Sequence, residues 1–118
     1  MLSMEAAPIL DPVMATKQKF SSFADLLANS AQPVLVDFYA TWCGPCQMMA
    51  PILEQVNHQM KGQLKVVKID SDRYPQLASQ YQIHALPTLM LFKYGQPADR
   101  IEGVLTADQL VQRLQTQL

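Results

Sequence analysis

Residues 34–46, V-L-V-D-F-Y-A-T-W-C-G-P-C, restrict the fold more than any other stretch. The first seven are aliphatic, β-branched or aromatic except for Asp37. A run of that length without polar alternation fits a strand covered on both faces. Trp42-Cys43-Gly44-Pro45 then ends the run. Proline is favoured at a helix start, where its missing N–H has no partner to lose. The stretch therefore reads as a doubly covered strand passing through a tight turn into a helix, with two cysteines at the joint. One polar residue, Asp37, interrupts an otherwise apolar run.

The remainder of the 118 residues suits one domain and not two. With 49% hydrophobic and 16% charged residues, the balance is that of an ordinary globular core. A formal net charge of -1 and the lack of a Lys/Arg run argue against nucleic acid and against a membrane surface as partners. No window approaches the roughly 18 consecutive apolar residues of a membrane helix. Residues 1–16 have no basic start and no apolar core of a secretory signal, and they contain Glu5 and Asp11 but no Arg, unlike a transit peptide. They are expected to form a flexible tail ahead of a domain over 17–118. The expected setting is the reducing compartment where the chain is made, and the expected state is a monomer.

Taken in order, residues 17–20 read as a short first strand. Ser21 or Ser22 can cap a helix carrying Phe23, Leu26 and Leu27. After the central strand over 34–40, apolar Cys46, Met49, Leu53, Val56 and Met60 recur at helical spacing from Pro45 to about Gly62. Pro51 lies inside that helix, where it removes a backbone hydrogen bond and predicts a kink. Residues 64–70 form a further strand, and Pro75 opens a short helix with Leu77, Ala78 and Tyr81 inward. Residues 88–92 and 98–104 are expected to make a hairpin through a turn at 94–97. Thr106 and Gln109 form a capping box ahead of Leu110, Val111 and Leu114. Strand-helix alternation followed by a hairpin and a helix predicts an α/β fold: a mixed sheet with helices on both faces.

A thiolate is the nucleophile in disulfide exchange, and a helix N-terminus stabilises one through unpaired N–H groups and the helix dipole. Cys43, where the cap should be, is the candidate attacking thiol. Cys46 falls on the inward stripe and is placed to resolve the intermediate. A zinc site would need four ligands, and His58 and His84 are separated from Cys46 by eleven and thirty-seven intervening residues, matching no finger spacing. A purely structural disulfide would close a very small loop, where it restricts the unfolded chain least. Asp37 is a candidate proton store, since burial raises a carboxyl's pKa, and Lys68 is its neighbour if the two strands pair. The competing reading is a carboxylate solvated at a sheet rim. His58 and His84 read as surface side chains, and Met48, Met49, Met60 and Met90 as core filler.

Read together, W-C-G-P-C, the preceding V-D-F-Y-A and the later L-P-T resemble the thioredoxin family over about residues 17–117. The resemblance implies a thioredoxin fold and protein-disulfide reduction, with Cys43 attacking a target disulfide and Cys46 resolving it while Asp37 and Lys68 manage the proton. It implies a cis bond before Pro87 and a docking patch of Trp42, Gly44, Pro45, Ala85, Leu86, Gly103 and Val104. It matches Pro51 to the kink of the active-site helix. It implies no cofactor beyond the redox-active disulfide Cys43–Cys46 and no metal. Gly44-Pro45 between the thiols resembles reducing members, whereas oxidants and isomerases usually carry a His beside the second Cys. A binding subunit with incidental thiols is the reading of another class.

Tyr39 stands where Trp is frequent, Gln47 where Lys or Arg is common, and His84-Ala85 where a charged residue and Gly often occur. The combined motifs look most like the y-type thioredoxins of cyanobacteria and chloroplasts. That implies a ferredoxin-dependent thioredoxin reductase as donor, and peroxiredoxins and methionine sulfoxide reductases as targets. A cyanobacterial cytoplasm fits the N-terminal residues better than a chloroplast stroma.

Overall fold

The computed structural model describes residues 2–3 and 22–118. Its strands are β1 Leu2–Ser3, β2 Val34–Tyr39, β3 Lys65–Asp70, β4 Thr88–Lys93 and β5 Gln96–Glu102. Its helices are α1 Phe23–Ala28, α2 Gly44–Gln59, α3 Pro75–Gln80 and α4 Ala107–Gln115. β2 lies at the centre of one sheet of order β1-β3-β2-β4-β5, parallel to β3 and antiparallel to β4. All six of its residues are buried, which accounts for the missing polar alternation. The mixed sheet and its helices form the expected thioredoxin-type α/β fold.

Alternation along β2 divides the core into two layers. Val34, Val36 and Phe38 pack with Phe23, Leu26 and Leu27 of α1 and with Tyr74, Leu77 and Tyr81 around α3. The rings of Phe23, Tyr81 and Phe92 meet edge to face, with centroids 5.3 to 5.8 Å apart. On the other face Leu35 joins Met49, Leu53 and Val56 of α2 and Leu110 and Leu114 of α4. Met60, just beyond α2, and Met90 are buried as expected, but Met48 is 62% exposed. Consecutive helical residues diverge around the axis, so Met49 takes the core position and Met48 faces water.

The hairpin departs from its expected limits. β4 and β5 are joined by only Tyr94 and Gly95, with φ of 55° and 78°, so both occupy the left-handed region of a type I′ turn. Strand β5 consequently begins at Gln96, not at Ala98, and ends at Glu102, before Gly103 turns the chain with φ 89°. Pro97 suggested a turn, yet it sits in an edge strand beside a register shift at Leu91/Phe92, two settings in which a strand tolerates proline. Asp99 of β5 takes two hydrogen bonds from the Arg113 guanidinium, at 2.8 and 2.9 Å, and these hold its carboxyl below the usual range. That pair fastens α4 to the hairpin.

The strand expected over residues 17–20 lies outside the described residues, as does most of the expected tail. Leu2 and Ser3 of that tail pair in parallel with Val67 and Lys68, at the edge of the sheet. Helix α1 is capped by Ser22, whose hydroxyl accepts the Asp25 N–H. Pro51 lies inside α2, which ends at Gln59, before the expected limit near Gly62. No helix among the described residues is long and apolar enough to cross a membrane.

The capping box of α4 is complete: Thr106 Oγ1 accepts the Gln109 N–H at 3.1 Å and Gln109 Oε1 accepts the Thr106 N–H at 3.0 Å. Thr106→Ala should destabilise the domain by about 1 kcal/mol. In urea unfolding the midpoint should fall while the slope stays constant, and an unmoved midpoint would show that the box contributes nothing to α4.

Candidate active site

The site forms where β2 ends and α2 begins. Cys43 is the N-cap of α2, with φ -89° and ψ 114°, and its sulfur accepts the Cys46 N–H at 3.2 Å. The helix starts at Gly44, so Pro45 is its second residue. Pro45 has no N–H to leave unpaired in that first turn, and the dipole's positive end lies against the Cys43 sulfur. Cys43 and Cys46 are joined as a disulfide across a Cα–Cα distance of 5.2 Å. Tyr39, Ala40 and Leu86 pack around the pair.

An attacking thiol needs access to its partner, yet in the disulfide both cysteines are buried, at 4% and 5% exposure. The two differ in what they face. Cys43 lines a groove of about 420 Å³ with Trp42, Gly44, Pro45, Ser71, Ala78, Ile83, His84 and Leu86, whereas Cys46 does not reach it. Access to the sulfur therefore runs through this groove, along a mostly apolar wall.

Of the expected docking patch, Trp42, Gly44, Pro45 and Leu86 line the groove. The Leu86–Pro87 bond is cis. Ala85 is exposed, and its carbonyl accepts the Thr88 hydroxyl. Pro87 is buried, and its carbonyl accepts the Gly103 N–H at 3.0 Å, which ties the Gly103-Val104 corner to the same wall without bringing it into the groove. Trp42 is 70% exposed, and its indole N–H donates to Asp72 Oδ2 at 2.7 Å. Asp72 is placed in turn by its own N–H, which donates to Asp70 Oδ1. His84 is exposed as expected, yet it also lines the groove. Ser71, Asp72, Ala78 and Ile83 were not anticipated: their only signal in the chain is position near the ends of β3 and α3.

Asp37 is buried, at 1% exposure, which excludes the solvated-rim reading. It shares the α2 face of the sheet with its alternate neighbours Leu35 and Tyr39, and Tyr39 touches the cysteines. Its partner in register on β3 is Lys68, and on β4 it is Leu89. Asp37 Oδ1 has no hydrogen-bond partner among the described residues. Burial raises the carboxyl from its ordinary 3.8 to about 7, against the opposing charge of Lys68.

The folded chain thus holds a proton that the unfolded chain releases between pH 3.8 and about 7. A raised carboxyl pKa makes stability fall as pH rises through that window, by roughly 4 kcal/mol at most. Asp37→Asn cannot ionise and escapes the loss. Urea unfolding of both oxidised proteins from acid to mildly alkaline pH should show the variant gaining on the parent up to about pH 7 and then running level. A difference independent of pH would contradict a buried acid at Asp37.

Comparison with known proteins agrees with this geometry. The thioredoxin family model matches residues 13–116. A thioredoxin-like protein of Synechocystis sp. is 66% identical over 102 residues, covering 86% of this chain and 97% of that protein. The chloroplastic thioredoxin Y1 of Arabidopsis thaliana is 58% identical over 106 residues, 90% of this chain. The match spans 62% of that plant protein's length, less than two thirds. Thioredoxin 1 of Nostoc sp. is 47% identical over 98 residues, 83% of this chain and 92% of its own. These relatives are cyanobacterial and chloroplastic. A family match over nearly the whole chain, with relatives this similar, means that the chain belongs to the thioredoxin family and is a thiol-disulfide oxidoreductase that works through Cys43 and Cys46.

Proposed function

We propose that the chain reduces disulfides of target proteins in a cyanobacterial cytoplasm, drawing electrons from a ferredoxin-dependent thioredoxin reductase. Peroxiredoxins and methionine sulfoxide reductases are the proposed targets, on the strength of the y-type resemblance and the similarity to chloroplastic thioredoxin Y1. A chloroplast stroma is the less favoured location. The observation that carries the reading is the unequal placement of the two sulfurs, Cys43 capping α2 on the groove wall and Cys46 behind it.

In the reduced chain the Cys43 thiolate attacks one sulfur of a target disulfide. The target S–S bond breaks, a mixed disulfide forms, and one target thiolate leaves. Cys46 then loses its proton to Asp37 in its ionised form, which is populated near neutral pH, and attacks the Cys43 sulfur. The mixed disulfide breaks, the Cys43–Cys46 disulfide forms, and the second target thiolate departs. The target gains two electrons, which the reductase later restores to the pair. The cysteines store those electrons themselves, so no added cofactor is needed.

The remaining assignments follow the same division of labour. Asp37 has the acidity to exchange a proton near neutral pH, and Lys68 moderates it by charge. Trp42, Gly44, Pro45 and Leu86 form the surface on which the target lies. Ala85, Pro87, Gly103 and Val104 extend that surface on one side. Pro51 serves structure within α2.

Cys46→Ser should trap targets covalently through Cys43, recovered from a cyanobacterial lysate and released by dithiothreitol. Cys43→Ser should trap none and should lose insulin reduction by roughly a hundredfold or more. Adducts on Cys46 in the Cys43→Ser protein would reverse the two roles. Unchanged insulin reduction in the same variant would make the thiols incidental to a binding function.

A further inference from the structure

Lys68 does not close on the carboxylate that it faces. Among the described residues no ion pair joins it to Asp37, although the two are partners in register. Instead the Lys68 Nζ lies over the Tyr39 ring, 4.6 Å from its centroid, within cation–π range. Tyr39 is two residues beyond Asp37 on the same face of β2, so the ring and the carboxyl stand side by side, roughly 7 Å apart along the strand. Both lie within reach of one long, half-buried side chain.

We propose that Tyr39 is a positioning residue whose ring competes with the Asp37 carboxylate for the Lys68 ammonium, and so favours the protonated form of Asp37. The inference rests on the role given to Asp37 above. When the carboxyl is neutral the ammonium rests on the aromatic face. When the carboxyl ionises, its attraction must draw the ammonium off that face. A resting place available mainly in one protonation state stabilises that state. Among the described residues Lys68 is the one charge that acts on the Asp37 carboxyl: its partner in register on β4 is the apolar Leu89, the Tyr39 phenol stands two residues along on β2, and Asp70, two residues beyond Lys68 on β3, accepts the Asp72 N–H. Tyr39 also packs against the cysteines and Leu86, so the group that sets the proton balance is in contact with the reacting pair.

The test is a direct titration of the Asp37 carboxyl by carbon NMR in the oxidised full chain. Tyr39→Leu should lower its pKa by about half a unit to one unit, the range that a partly desolvated cation–π contact supports. Tyr39→Phe, which keeps the face, should leave it in place. Tyr39→Trp, which offers a better face, should raise it and gives a reading if the Leu variant folds poorly. In a Lys68→Met background Tyr39→Leu should have no effect. A shift of equal size in that background, no shift with Lys68 present, or a Phe variant that behaves like Leu would each overturn the proposal. The pH profile of mixed-disulfide resolution separates this inference from its premise. If the carboxyl shifts as expected while the profile stays fixed, Asp37 is not the proton store and the role of the ring stands.

Discussion

Covering β2 on both faces is the constraint on which the remainder of the structure depends. A strand with no solvated face must be hydrogen-bonded on both edges and packed from above and below. β3 and β4 supply the edges, α1 and α3 one layer, and α2 and α4 the other. The same burial determines what the end of β2 can be. The chain leaves the sheet at Ala40 and enters α2 at Gly44, so the first turn of α2 lies at the end of the central strand with a cysteine as its cap. Position alone gives Cys43 the N–H of Cys46 and the positive end of a sixteen-residue helix.

Asp37 is the cost of using such a strand for chemistry. A carboxyl without a partner for one of its oxygens would be expelled from most cores. It is tolerated here because it stays protonated to about pH 7, so the buried group is neutral over much of the working range. The surrounding fold must then carry the stability that an apolar residue at this position would add. Lys68 adds the opposing influence, and the Tyr39 ring decides where its charge rests.

The parts of the site that are local in sequence were legible in it. Cys43 as a helix cap follows from Gly44-Pro45, and the oddness of Asp37 from an apolar run. Leu86-Pro87 became legible only through a family resemblance, because nothing local in L-P-T specifies a cis bond or a contact forty residues away. Ser71 and Ile83 were invisible as groove residues, and Asp72 as the acceptor of the Trp42 indole N–H. They come from connections after β3 and α3, and their meeting with Trp42 depends on strand order. The hairpin limits failed for a local reason: Pro97 is ordinarily a turn former, and an edge strand with a bulge accommodates it. Met48 failed because a pair of adjacent methionines cannot both face inward from one helix.

The central claim is that the fold gives two chemically identical thiols unequal access to a partner. Brief alkylation of the reduced chain with iodoacetamide at neutral pH, read residue by residue by mass spectrometry, tests it most directly. Cys43 should be modified well before Cys46. Equal modification of the two, or modification of Cys46 first, would contradict it.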